Sequence, residues 1–292
     1  MILAHVIGGL GNQMFQYAMG RALSLENSQP LLLDISDFEG YRLHQGFELQ
    51  RIFNASIAIA KPSDVQHVLG WQSHPLAKPL LMRPALTGLR SKQFVVEPHF
   101  QYWPKVNGIQ GDCYLKGYWQ SEKYFQKHID TIRQDFSFKL PLAGKNADSA
   151  NLINEVNAVC LHVRRGDYVN NSKTNSMHGV CSLDYYQAAI EFILNRVKNP
   201  CFFVFSDDIT WVKQNLKMTV RCEYIDHNQG PASHFDMQLM SICKHHIIAN
   251  SSFSWWGAWL NPDPEKIVVA PQNWFSTNKN TADLLPPAWT TL

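Results

Sequence analysis

The sequence predicts an α/β protein built from two Rossmann-type halves in tandem, and three observations carry that reading. From Met1 to Ser36 the chain reads strand, glycine turn, helix, strand. From Ala158 onward, short apolar runs alternate with helical patterns. Between these regions KLPLAGKNADSANL (Lys139 to Leu152) gathers polar and small residues and reads as a linker. Alternating strands and helices imply parallel sheets with helices on both faces. The expected domains are residues 1–145 and 146–292.

In the first half, ILAHV is a strand candidate, IGGLGNQ a glycine turn and MFQYAMGRALSLEN a helix. Met14, Phe15, Ala18, Met19, Ala22, Leu23 and Leu25 fall on one face of a 3.6-residue period. PLLLDIS supplies a second buried strand and closes a βαβ unit. From Tyr41 to Lys139 the pattern is irregular and rich in Pro, Trp and Tyr, and reads as loops completing this half.

In the second half, strands are expected over 158–163, 201–205, 222–225, 246–249 and 266–270. Helices are expected over 182–197, 210–216, 235–245 and 253–259. No repeat or low-complexity tract interrupts them.

Composition narrows the function classes. The 292 residues are 45% hydrophobic and 17% charged, which fits a folded globular chain rather than a disordered one. A formal net charge of +2 is too weak a bias to point to nucleic acid as a partner. Aromatics at 12%, with nine tryptophans, mildly favour a carbohydrate or nucleotide ligand. The six cysteines show no C-x-x-C spacing, so neither a disulfide framework nor a zinc site is expected. Met1 leads directly into an apolar strand, and no apolar run approaches the ~18 residues that span a bilayer. The expected address is therefore the cytoplasm, with peripheral attachment to the inner membrane left open.

Ligands of open α/β sheets bind beyond the carboxyl ends of the strands. The strand ends of the second half carry Arg164-Arg165-Gly166-Asp167, then FSDD (Phe205 to Asp208), then ANSSFSWWGAWL (Ala249 to Leu260). A guanidinium matches phosphate oxygens in pairs, and Asp167 could orient one arginine. A salt-bridged pair closing an interface is the plainer reading, and an RGD adhesion motif fits poorly beside a buried strand. Ser251 and Ser252 fall where serine caps helices, yet a helix N-terminus with two hydroxyls also receives anions. Asp236 opens the preceding helix, where it would favour the helix dipole or accept hydrogen bonds from a base edge.

In the first half, Gly9 and Gly11 start a G-x-G-x-x-G pattern whose third position is Met14, with Asp34 as weak acidic support. A nicotinamide enzyme is disfavoured on that ground. The same loop could present Asn12 and backbone N–H groups to a diphosphate. No D-x-D, P-loop or H-E-x-x-H occurs, so arginines and a helix terminus would have to stabilise a leaving diphosphate.

HVIGGLGNQMFQYA, HVRRGDYV, FSDD and ANSSFSWWGAWL, in that order, resemble the α-1,2-fucosyltransferases of glycosyltransferase family 11, most of all the anchor-free bacterial members. The resemblance spans nearly the whole chain. H-x-R-R-x-D is shared with α-1,6- and protein O-fucosyltransferases, whereas N-S-S-F-S-W-W-G is specific to the α-1,2 group. It implies a GT-B-like fold with a cleft between its domains, an acceptor side in the first, and GDP-fucose binding in the second. It further implies inverting transfer from GDP-β-L-fucose to the 2-OH of a terminal β-galactoside, without a metal. Arg164 would bind the diphosphate, His162 the nucleoside and Asp236 the guanine edge. Ser251 and Ser252 would meet the phosphates, and Asn12 would lie near the donor; Asp207 of FSDD joins them on the donor side. The α-1,6 relatives carry a glutamate where this chain has Ser172. Asp167 and His178 stand as candidate bases, beside a dissociative route with little base help. A different acceptor linkage or a non-catalytic nucleotide-sugar or glycan-binding protein are the alternatives.

Overall fold

The computed structural model describes residues 1–41, 44–166, 179–277 and 279–292. They divide into two compact units, one of residues 1–139 with 280–284 and one of 140–279 with 285–292.

The first unit holds a four-stranded parallel sheet, ordered β2-β1-β4-β3. Its strands are β1 (Ile2–His5), β2 (Leu31–Asp34), β3 (Phe94–Val96) and β4 (Cys113–Lys116). The two inner strands are buried on both faces, which is why they read as continuous apolar runs. β3 and β4 fall in the stretch that reads as irregular, because strands this short leave little periodicity to detect.

The connecting helix runs Leu10–Asn27 and begins four residues before the predicted start at Met14. Gly9 is its N-cap, and its carbonyl accepts from the N–H groups of Asn12 and Gln13 at 2.9 and 3.1 Å. Gly11, Asn12 and Gln13 therefore form the first helical turn rather than a loop. The Asn12 and Gln13 N–H groups are thereby spent within the helix.

The second unit is a six-stranded parallel sheet, ordered β10-β9-β8-β5-β6-β7. Its strands are β5 (Asn157–Val163), β6 (Pro200–Ser206), β7 (Cys222–Ile225), β8 (His245–Ile247), β9 (Val268–Ala270) and β10 (Thr290–Thr291). Successive side chains of a strand point to opposite faces. Val159, Leu161 and Val163 enter a core with Tyr185, Tyr186, Ala189, Ile193 and Val212, from helices Leu183–Leu194 and Ile209–Asn215. Ala158 and Cys160 enter the other core, with Ile153, Leu239 and Met240 from helices Lys145–Glu155 and His234–Ile242.

The stretch predicted as a linker thus contains a helix from Lys145. Ala150, Leu152 and Ile153 are its only apolar contribution to the core, so its composition hides it. The tryptophans of SFSWWGAWL face inward. Trp255, Trp256 and Trp259 are buried and pack on one another, with ring centroids 5.0–6.1 Å apart, as part of the core.

Candidate active site

β5 and β8 are neighbours, paired through Leu161 and Ile247, so their ends deliver Arg164 and Ser251–Ser252 to one rim of the second unit. Strand alternation then separates the two arginines. Arg164 shares the face of His162, whose ring lies 6.0 Å from Phe253 on the Ser252–Leu260 helix. Arg165 turns to the opposite face, where its guanidinium stacks 3.5 Å above the Trp211 ring and lies 3.8 Å from Asp208.

Arg164 is held by Asp207, whose Oδ2 lies 3.1 Å from Nη1. The same carboxylate accepts from the N–H groups of Arg165 and Gly166, both at 2.9 Å. Three donors fix one carboxylate, and the carboxylate fixes the turn that follows β5. Gly166 leaves room for this carboxylate, since a Cβ there would lie 2.8 Å from Asp207 Oδ2 and the carboxylate would have to shift. Asp207, from the end of β6, is thus an orienting carboxylate that the sequence reading did not assign. Asp167, Ser172 and His178 lie outside the described residues.

His162 is buried, and burial pushes its pKa down to about 4, so the ring is neutral near pH 7. Its Nδ1 has no hydrogen-bond partner among the described residues. A buried, unsatisfied ring nitrogen is costly unless a ligand or water completes it.

Ser251 caps the Ser252–Leu260 helix, its hydroxyl accepting from the Phe253 N–H at 3.3 Å. Asn250, just before it, is buried, and its amide donates to the carbonyls of Gly179 and Trp274. That amide pins the strand end from which the serines project. Asp236 occupies the first turn of the His234–Ile242 helix. Its Oδ1 accepts from Asn228 Nδ2 at 2.8 Å, and Asn228 in turn bonds Asn146. Burial pushes this carboxyl up to about 7, opposed only by the Asn228 amide.

In the first unit, Gly8 has φ +90°, in the left-handed region that favours glycine, and leaves room for the Asn12 amide packed over it. Gln120 Nε2 donates to Asn12 Oδ1 at 2.7 Å, which fixes the orientation of the Asn12 amide, with Nδ2 against Gly8. Gln120 is itself placed by a strained turn. Trp119 has φ +55°, and Glu97 accepts from the N–H groups of Tyr118 and Trp119 at 2.7 and 3.1 Å. Gly9 packs beneath His44.

Gln120, Glu97, Asn228 and Asn250 escape the sequence reading except as unremarked neighbours of motifs. Only tertiary pairing reveals them. Removing the amide in Gln120→Ala is expected to lower kcat/KM roughly 2–10-fold, the worth of one neutral hydrogen bond, with little change in unfolding temperature. Steady-state kinetics and thermal melts check both parts. Among the described residues no group of three or more His, Cys, Asp or Glu side chains is placed to hold a metal.

The model of the Glycosyl transferase family 11 matches residues 104–292. The chain belongs to that family. It is a glycosyltransferase, and it is 38% identical over 293 residues to an alpha-1,2-colitosyltransferase of Escherichia coli, covering 99% of this chain and 98% of that one. A galactoside 2-alpha-L-fucosyltransferase of Bos taurus is 31% identical over 254 residues, covering 87% of this chain and 62% of the other. The fold is similar to that of the fucosyltransferase NodZ from Bradyrhizobium, with a TM-score of 0.52 at 12% identity, over 89% of this chain and 91% of that chain. NodZ is described as an alpha-1,6-fucosyltransferase and has been soaked with GDP-fucose. The fold is GT-B-like, with a Rossmann-type parallel sheet in each unit.

Proposed function

We propose that this family 11 enzyme is an inverting galactoside α-1,2-fucosyltransferase, moving L-fucose from GDP-β-L-fucose to the 2-OH of a terminal β-galactose. The observation that carries the proposal is Arg164, oriented by Asp207, on the rim where the Ser251–Ser252 helix terminus also opens. As the bond from C1 to the β-phosphate oxygen breaks, negative charge grows on the diphosphate. A fixed guanidinium and a helix N-terminus stabilise that charge without reorganising. Attack from the opposite face by the acceptor hydroxyl turns a β-linked donor into an α-linked product. His162, neutral and with an unsatisfied Nδ1, would complete its hydrogen bonding on the nucleoside. Asp236 would take the guanine edge, and Asn12 the donor from the first unit. The base, if one acts, is unassigned; Asp167 and His178 remain its candidates.

The Escherichia coli relative favours a second reading, in which the donor carries colitose, the 3-deoxy counterpart of L-fucose. Incubating the purified protein with a β-galactoside and either GDP-fucose or GDP-colitose decides between them. Transfer from neither donor overturns both. Because cationic and dipolar groups are assigned to the leaving charge, transfer is expected to continue undiminished in EDTA. A dependence of kcat on added Mg²⁺ of about tenfold or more would contradict this assignment.

A further inference from the structure

Large apolar side chains are exposed unevenly over this protein. Trp71 (67% exposed), Leu76 (74%), Leu80 (46%) and Leu89 (61%) all fall within one short stretch of the first unit. Helix Pro62–Leu69, the turn Gly70–Ser73, helix Ala77–Leu81 and the turn Pro84–Leu89 make up that stretch. The Ala77–Leu81 helix packs against both turns. Arg90 donates to the Leu81 carbonyl, and Gln72 accepts from the Ser91 N–H, so the pieces form one ordered body. Its inner side is satisfied by Val68, Leu69 and Leu81, which pack with Leu3, Phe94 and Tyr114 in the core. The outward residues serve no core.

Charge separates this stretch from the rest of the chain. Residues 61–92 contain Lys61, Lys78, Arg83, Arg90 and Lys92 against Asp64 alone, a net +4. With the whole chain at +2, everything else carries −2. Lys78 is committed to Asp34, but Lys61, Arg83 and Lys92 are exposed within the same stretch. A tryptophan and leucines set among lysine and arginine, on short ordered turns, match the two demands of an anionic bilayer surface. Apolar groups enter the headgroup boundary while cations meet the lipid phosphates.

We propose that residues 61–92 form a membrane-seating surface, through which the enzyme binds anionic phospholipid without spanning the bilayer. No helix among the described residues is long and apolar enough to cross a membrane, so attachment through this surface would be peripheral.

The test is sedimentation of the full chain with phosphatidylcholine vesicles, with and without phosphatidylglycerol. Binding is expected only with phosphatidylglycerol and should weaken as salt rises. The Trp71→Ser, Leu76→Ser double variant should lose about tenfold or more in vesicle affinity. Arg83→Glu with Lys92→Glu should lose at least about as much, since each cation near such a surface is worth about fivefold. Both variants should melt like the wild type and turn over a soluble acceptor at the wild-type rate, because none of these residues belongs to the site. Wild-type protein that stays in the supernatant with anionic vesicles overturns the proposal, as do variants that sediment undiminished. Concentration-dependent dimerisation abolished by the same variants, without vesicle binding, would assign the surface to a second copy of the chain instead.

Discussion

Arg164→Ala is expected to lose at least about a hundredfold in kcat/KM while melting close to the wild-type temperature. The loss follows from where the charge develops. A preorganised donor that stabilises the transition state more than the ground state typically contributes about 10²–10³ in rate, or roughly 2.7–4 kcal/mol. Stability is spared because Asp207 retains its two backbone donors, the Arg165 and Gly166 N–H groups, when the guanidinium is gone. Arg164→Lys keeps the charge but loses the two-pronged geometry, so it is expected to rescue only part of the activity. Arg165→Ala should behave differently. Its guanidinium lies on Trp211 and beside Asp208, on the other face of the strand, so the variant should lower the melting temperature before it lowers turnover. Thermal unfolding and fucosyl transfer on the three purified variants separate the roles. Near-normal turnover by Arg164→Ala would show the arginine to be structural.

The two arginines also show how much of this molecule its sequence discloses. Strand parity, read from Val159, Leu161 and Val163, already sends residues 164 and 165 to opposite sides, and the two cores show the same alternation. The regular second half was legible where its strands are apolar runs bounded by polar ends, as β5 and β6 are, whereas the two threonines of β10 gave no signal. The first half was legible only through Asp34. β3 and β4 escaped because strands of three and four residues generate no period, and the Leu10 helix start escaped because glycines at 9 and 11 read as a turn. The site divides in the same way. Arg164 and the two serines stand out as polar residues at strand ends, but the pairing of Arg164 with Asp207 could not be read. Asp167 is next along the chain, while Asp207 comes from the neighbouring strand and is paired by the register of Val163 with Ser206. Gln120 reaches Asn12 from more than a hundred positions away. Such pairings exist only after the sheet has formed.

Asp236→Asn is expected to weaken GDP binding by about 10–100-fold, the worth of hydrogen bonds made by a charged acceptor at roughly 1.5–3 kcal/mol. The carboxylate can accept from both N1–H and the exocyclic amine of guanine, whereas an asparagine would have to present its own donor to one of them. This carboxyl carries a second signature, because burial pushes it up to about 7 from the ordinary 3.8. Near pH 3.8 and below, folded and unfolded chains both hold the proton. Between there and about 7 the unfolded chain has released it while the folded chain retains it, so stability falls as pH rises. Above about 7 the folded carboxyl ionises too, and that contribution is gone. Guanine needs the ionised form. GDP affinity should therefore increase as pH is raised through 7, and binding below that pH should release a proton. Asp236→Asn should abolish the proton release and the slope of GDP affinity together. It should also melt at or above the wild-type temperature at pH 8, where the wild type buries a charge. Calorimetry in buffers of different ionisation enthalpy, at pH 6 and pH 8, measures both quantities. Wild-type affinity and unchanged proton release in the variant would leave Asp236 to its helix terminus and place the guanine elsewhere.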